Sequence, residues 1–185
     1  MWQAEADLRA ALADQPRIHF LQCNTVELSG IRFLGCTGWS RLLTLGEPRQ
    51  QSVQKVVGHA INDFFVNGMG DRRFTTEECI QLGQQHYQWL EQELSKPCDQ
   101  FTVVITHFAP SLKVNNPNYP ITDLSAYFCS DYDRLIEQYQ PTLWAFGHTH
   151  ANFDIQMGAT RVVSNQKGYG RECEDSYQAQ WITSL

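Results

Sequence analysis

Apolar residues along this chain recur at two spacings, three to four in some stretches and two in others, which separate helices from strands. Ala4 to Ala13 has helix-forming composition, with Leu8 and Leu12 one turn apart and Pro16 as a stop. IHFLQ, TVELSG and IRFLGC follow, short runs rich in β-branched and aromatic residues, and Ser29-Gly30 is placed to turn the second into the third. This predicts a strand followed by a hairpin.

Helical spacing returns at Val53, Val56, Val57, Ala60, Ile61 and Phe64, which describe one apolar stripe. A second helix is signalled more strongly. Thr75 and Glu78 fit a capping box, while Ile80, Gly83, Tyr87, Leu90 and Leu94 fall three and four residues apart ahead of Pro97. FTVVITH then reads as a buried strand with polar chemistry at its end, and SLKVNNPNYP as a loop. A helix is expected from about Ser125 to Gln138, ended by Pro141, and LWAF is a short buried strand running directly into GHTH. ANFDIQ and TRVVSN, joined across Met157-Gly158, read as a hairpin before a polar tail closing in WITSL.

Composition narrows the class. At 185 residues, with 42% hydrophobic and 18% charged, the chain matches soluble globular proteins and supports one hydrophobic core. Neither a membrane-length apolar run nor the pattern of a signal peptide is present, so a cytoplasmic location without membrane partners is expected. The six cysteines form no CxxC pair and read as free thiols. A net charge of −6 with no Lys/Arg cluster argues against nucleic acid as a partner. It leaves phosphorylated small molecules open, because a bound divalent metal inverts the local sign.

The suggestive chemistry lies in three histidines. His107 ends one strand, and His148 and His150 follow another, next to Gly147, which lets the backbone approach whatever they hold. Imidazole suits divalent transition metals. Two surface histidines in a loop remain the alternative for the HxH pair. Asp63, Asp71, Asp123 and Asp154 are carboxylates in no pattern that demands ligation, and solvated or cap roles are favoured for them. Packing or surface positions are favoured for His19 and His59, and His86 reads as a boundary residue of its helix. Trp39 fits either a cleft wall or the core, and Lys113 either a phosphate contact or an exposed loop.

THFAPS at Thr106 to Ser111 and GHTH at Gly147 to His150 resemble the last two metal-binding motifs of the calcineurin-like metallophosphoesterases. TRVVSNQKGYG, Thr160 to Gly170, resembles the strand and turn that follow GHTH in that family. IRFLGCTGWS and INDFFVNGMGDRRFTTEE extend the similarity upstream, to about residues 18–172. The resemblance implies an α/β fold that is the C-terminal portion of a calcineurin-like phosphoesterase β-sandwich flanked by helices. It also implies hydrolysis of phosphomonoesters or phosphodiesters at divalent metals (Mn, Fe or Zn), with His107 and His148 on one metal and His150 on the other.

The family's Asp-x-His, Gly-Asp-x-x-Asp and Gly-Asn-His motifs, which supply bridging carboxylates and a general acid, have no match here; Gly70-Asp71 is followed by Arg72, Arg73 and Phe74. Residues 1–185 are therefore expected to form a single partial domain with the N-terminal part missing. The exposed apolar surface would be covered by a second copy or a complementing chain, or the isolated chain would be marginally stable. The alternative to an enzyme is an inactive remnant serving as a weak metal-binding or assembly module.

Overall fold

The computed structural model describes residues 2–170, 172, 173 and 175–184. A mixed six-stranded sheet is its centre. Strands β1 (Asn24–Leu28), β2 (Ile31–Cys36), β5 (Phe101–Thr106), β6 (Leu143–Ala145), β7 (Phe153–Met157) and β8 (Thr160–Ser164) lie in the order β1-β2-β5-β6-β8-β7. The four inner strands run parallel, and the two hairpins add an antiparallel strand at each edge. Strands β3 (Gly68–Met69) and β4 (Arg72–Arg73) form a separate small ribbon. The described residues thus form one mixed sheet with helices, and not two sheets packed face to face.

Helices α1 (Trp2–Leu12), α2 (Gln50–Ala60), α3 (Asp63–Val66), α4 (Thr76–Leu94), α5 (Ser125–Phe128) and α6 (Asp133–Tyr139) complete the chain with two short 3-10 turns. Helix α4 begins as its sequence dictates: Thr75 Oγ1 accepts the Glu78 N–H at 3.2 Å, and the Glu78 carboxylate accepts the Thr75 N–H at 3.0 Å. Its Tyr87, Leu90 and Leu94 pack with Leu135 and Ile136 of α6 onto Leu34, Val104, Trp144 and Val162 of the sheet. Fully burying an aliphatic side chain of this kind stabilises by roughly 1.5–3 kcal/mol. On the opposite face Val103, Leu143 and Val163 are buried with Trp181 packed beside them, while Phe101 and Ile105 stay exposed.

Three expected elements differ. Residues 18–22 are not a strand, and β2, which they run beside, is already paired by β1 on one side and β5 on the other. The segment crosses beside β2 instead, and Gln22 Oε1 accepts the backbone N–H and hydroxyl of Thr37 at 2.8 and 2.9 Å. The helix expected over Ser125 to Gln138 is broken into α5 and α6, since Ser130 N–H donates to Ala109 O (2.7 Å) and Ser130 Oγ to Gly38 O (2.8 Å). The stripe from Val53 to Phe64 is shared between α2 and α3, with Ile61 extended between them.

A second core lies beyond the strand ends and joins Trp39, Leu42, Val53, Val57, Phe64, Phe74, Phe108 and Tyr127. Helix α4 closes on it at Gly83, where a Cβ would sit 2.7 Å from both Ser40 C and Trp39 O. His86, expected to flank the apolar stripe of α4 as a boundary residue, is instead fully on its buried face, with Nδ1 3.2 Å from the Trp39 nitrogen.

Candidate functional site

The carboxyl ends of β2, β5 and β6 open at one edge of the sheet, the usual place for ligands in parallel α/β sheets. Both His107 and Phe108 donate their N–H groups to Thr37 O, at 3.0 and 3.1 Å, which turns the chain off β5. Thr106 Oγ1 braces this turn by donating to Phe108 O and accepting from Trp144 Nε1. From the neighbouring strand, Gly147 N–H donates to His107 O at 3.0 Å. A Cβ at Gly147 would meet His107 only at 3.5 Å, an ordinary contact, so local crowding does not demand a glycine there.

These bonds bring His107 and His148 together, with ring centroids 4.7 Å apart and planes at 60°. His148 adopts φ 73° and is roofed by Phe108, Tyr127 and Phe128, at centroid distances of 4.2, 5.5 and 5.0 Å. Burial, with smaller contributions from His107 and His150, pushes its pKa down to about 3, so the ring is neutral. Burial lowers His107 as well. His148 Nε2 is buried and has no hydrogen-bond partner among the described residues, an unusual state for a polar atom.

His150 goes elsewhere. At φ 49° it sets its ring edge-on to Tyr169 (4.6 Å), and its Nδ1 lies 2.8 Å from Glu172 Oε2. Glu172 also accepts the Tyr169 N–H at 2.7 Å, and these bonds hold its carboxyl below the usual range. An ionised carboxylate only accepts, so Nδ1 is the nitrogen that donates to Glu172. Gln166 ties the segment down: its Oε1 accepts the His150 N–H (2.8 Å), and its Nε2 donates to Thr149 Oγ1 and Ala151 O. Gln166, Tyr169 and Glu172 lie in or just past the NQKGYG run, but their contacts with His150 had no signal in the spacing.

The carboxylates divide. Asp123 pairs with Arg49 and Asp154 with Arg161, as solvated groups do, and Asp71 sits exposed in the β3–β4 turn. Asp63 accepts a hydrogen bond from the buried Tyr127 hydroxyl, and its charge acts on His107. The Lys113 ammonium lies 3.6 Å from Asp133, His59 rests against Lys55 O, and His19 is exposed. Trp39 is core, between Phe74 and Phe108, and also borders a cavity of about 760 Å³ behind His107. A second cavity, of about 440 Å³, opens in front of His148 and His150.

As a metal site the arrangement fits in part. His107 and His148 present two neutral imidazoles beside an unpartnered nitrogen, but no three His, Cys, Asp or Glu side chains among the described residues converge closely enough to hold one ion.

With this geometry in view, comparison with a phosphopantetheinyl hydrolase from Mycobacterium tuberculosis gives a TM-score of 0.64 at 16% identity, over 96% of this chain and 65% of that one. The two share a fold. TT1561 of Thermus thermophilus is a weaker likeness, with a TM-score of 0.46 at 12% identity over 89% of this chain and 57% of that one. An uncharacterized protein of Acanthamoeba polyphaga mimivirus is 22% identical over 179 residues, covering 90% of this chain and 60% of that protein. No family model matches. The chain therefore spans less than two thirds of the length of each of these proteins. No described helix is long and apolar enough to cross a membrane.

Proposed function

We propose that these residues form the histidine-bearing side of a divalent-metal phosphoester hydrolase. The observation that carries the reading is the buried, unpartnered Nε2 of a neutral His148 packed beside His107, in a fold shared with a phosphopantetheinyl hydrolase. His107 and His148 would hold one Mn, Fe or Zn ion, and His150, fixed in its tautomer by Glu172, would serve a second. When bound, such ions polarise phosphoryl oxygens and lower the pKa of water. The chain's own part is to keep His107 and His148 neutral through burial, to hold the three histidines by the Thr37, Gly147 and Gln166 hydrogen bonds, and to exclude bulk water with Phe108 and Phe128.

The family's acidic motifs are missing from the 185 residues, so in this reading the bridging carboxylates come from a complementing chain and not from a second copy, which would lack them too. A phosphomonoester or phosphodiester is the substrate class, and the hydrolase that shares the fold makes a phosphopantetheinyl ester one candidate. A second reading, a metal-binding or assembly module without hydrolysis, is favoured by the engagement of His150 with Glu172 rather than with the other two histidines.

Calorimetric titration with MnCl2 and ZnCl2, alongside hydrolysis of p-nitrophenyl phosphate and its bis ester, tests both. Metal binding that weakens about tenfold or more in His148→Ala supports the centre. Turnover in the loaded chain favours the enzyme, and binding without turnover favours the module. Equal affinity in the variant would sink the assignment of His148.

A further inference from the structure

We infer that the cavity in front of His148 and His150 receives an uncharged, largely apolar organic group, so that the esters presented to this site carry such a group and not a second anion. This rests on the phosphoester reading above. At about 440 Å³ the cavity is within the range that encloses a small ligand. Its walls are Tyr119, Pro120, Leu124, Phe128 and Tyr169, with the two histidines at one side.

The amides and the serine of the 115–125 walls are already engaged with neighbouring groups. Asn116 Nδ2 donates to Thr149 O and His150 O at 3.0 and 3.1 Å, locking the 115–120 loop to the histidine segment. Asn115 Nδ2 donates to Asn116 O and Tyr119 O, and Ser125 Oγ accepts the Thr122 N–H. No lysine or arginine lines the cavity among the described residues, and Glu172 is the carboxylate on its wall.

Charge then decides the class of occupant. A second phosphate or a carboxylate would enter without a lysine or arginine on the walls to meet it and would face Glu172, in a chain whose net charge is already −6. An alkyl or aryl group loses nothing there and gains from leaving water, at about 25 cal/mol per Å² of apolar surface buried. The exposed Tyr119 and Tyr169 supply aromatic surface at the rim, where a flat or slender group would lie.

The test is titration of the isotopically labelled chain, followed by NMR, with 1-naphthol, 1-naphthyl phosphate, ADP and inorganic phosphate. The naphthyl compounds are expected to shift the resonances of Tyr119, Leu124 and Phe128 and to bind about tenfold or more tighter than ADP. Leu124→Arg is expected to weaken naphthol binding by a similar factor, and Tyr119→Ala, which changes an exposed position, by about threefold. ADP binding as tightly as naphthyl phosphate, or naphthol binding indifferent to both variants, overturns the inference. Failure of the phosphoester reading is distinct: there, inorganic phosphate and metal bind no differently after His148→Ala, whatever naphthol does.

Discussion

His107 and His148 stand with ring centroids 4.7 Å apart although 41 positions separate them in the chain, and the link is one backbone hydrogen bond from Gly147 N–H to His107 O. The parallel pairing of β5 with β6 places the two strand ends side by side, and that bond sets the register of the turns beyond them. Burial under an aromatic roof, with a smaller contribution from the neighbouring His107 ring, makes His148 reluctant to take a proton.

That reluctance should be measurable as stability. Unfolded, the His148 ring returns to an ordinary pKa of about 6.5, whereas burial holds it near about 3 when folded. The unfolded state therefore binds the proton first as pH falls. The contribution is whole above about pH 6.5 and is lost as pH drops toward the folded value, about 2 kcal/mol of it by about pH 5. Urea unfolding in the presence of EDTA should show wild type losing that much more than His148→Gln. Parallel losses would mean that the ring is not held neutral by the fold.

Asp63 accepts the hydrogen bond of the Tyr127 hydroxyl, which is buried in the second core. Asp63→Ala should cost about 1–3 kcal/mol by leaving that hydroxyl unpaired. Adding Tyr127→Phe should recover part of the loss, since both partners are then gone. Thermal melts of the single and double variants test this, and strictly additive losses would argue that the bond carries no weight.

Gly83 lies inside α4, where alanine ordinarily improves a helix by about 0.5–1 kcal/mol. Here the added methyl would meet the Ser40 and Trp39 backbone at 2.7 Å. Gly83→Ala is expected to destabilise by about 1–3 kcal/mol net, which denaturant titration would register as a lower midpoint. A higher midpoint would show that the 39–41 segment yields easily.

The capping box at the start of α4 makes a simpler test. Thr75→Ala removes the acceptor for Glu78 N–H and should cost about 1 kcal/mol. Hydrogen exchange of the first turn should rise along with the drop in overall stability; no change in either would mean that Arg72, which also holds Glu78, suffices alone.

By itself the sequence determined what depends on near neighbours. The edge hairpins, the capped helix α4, the buried strands β5 and β6 and the positions of His107, His148 and His150 at their ends follow from periodicity, turn residues and strand length. Only the tertiary structure decided what depends on contacts across the chain. IHFLQ has the composition of a strand, yet it crosses beside β2, whose two sides are already paired by β1 and β5. A helix through Cys129 and Ser130 suits local preference, yet Ala109 and Gly38 take the hydrogen bonds of Ser130. Asp63 looks like any surface carboxylate until Tyr127 reaches it, and the HxH histidines look like one pair until left-handed backbone at both sends one ring under Phe108 and the other to Glu172. Sequence periodicity records which side a residue faces, whereas the partner it meets is set by the packing of elements far apart in the chain.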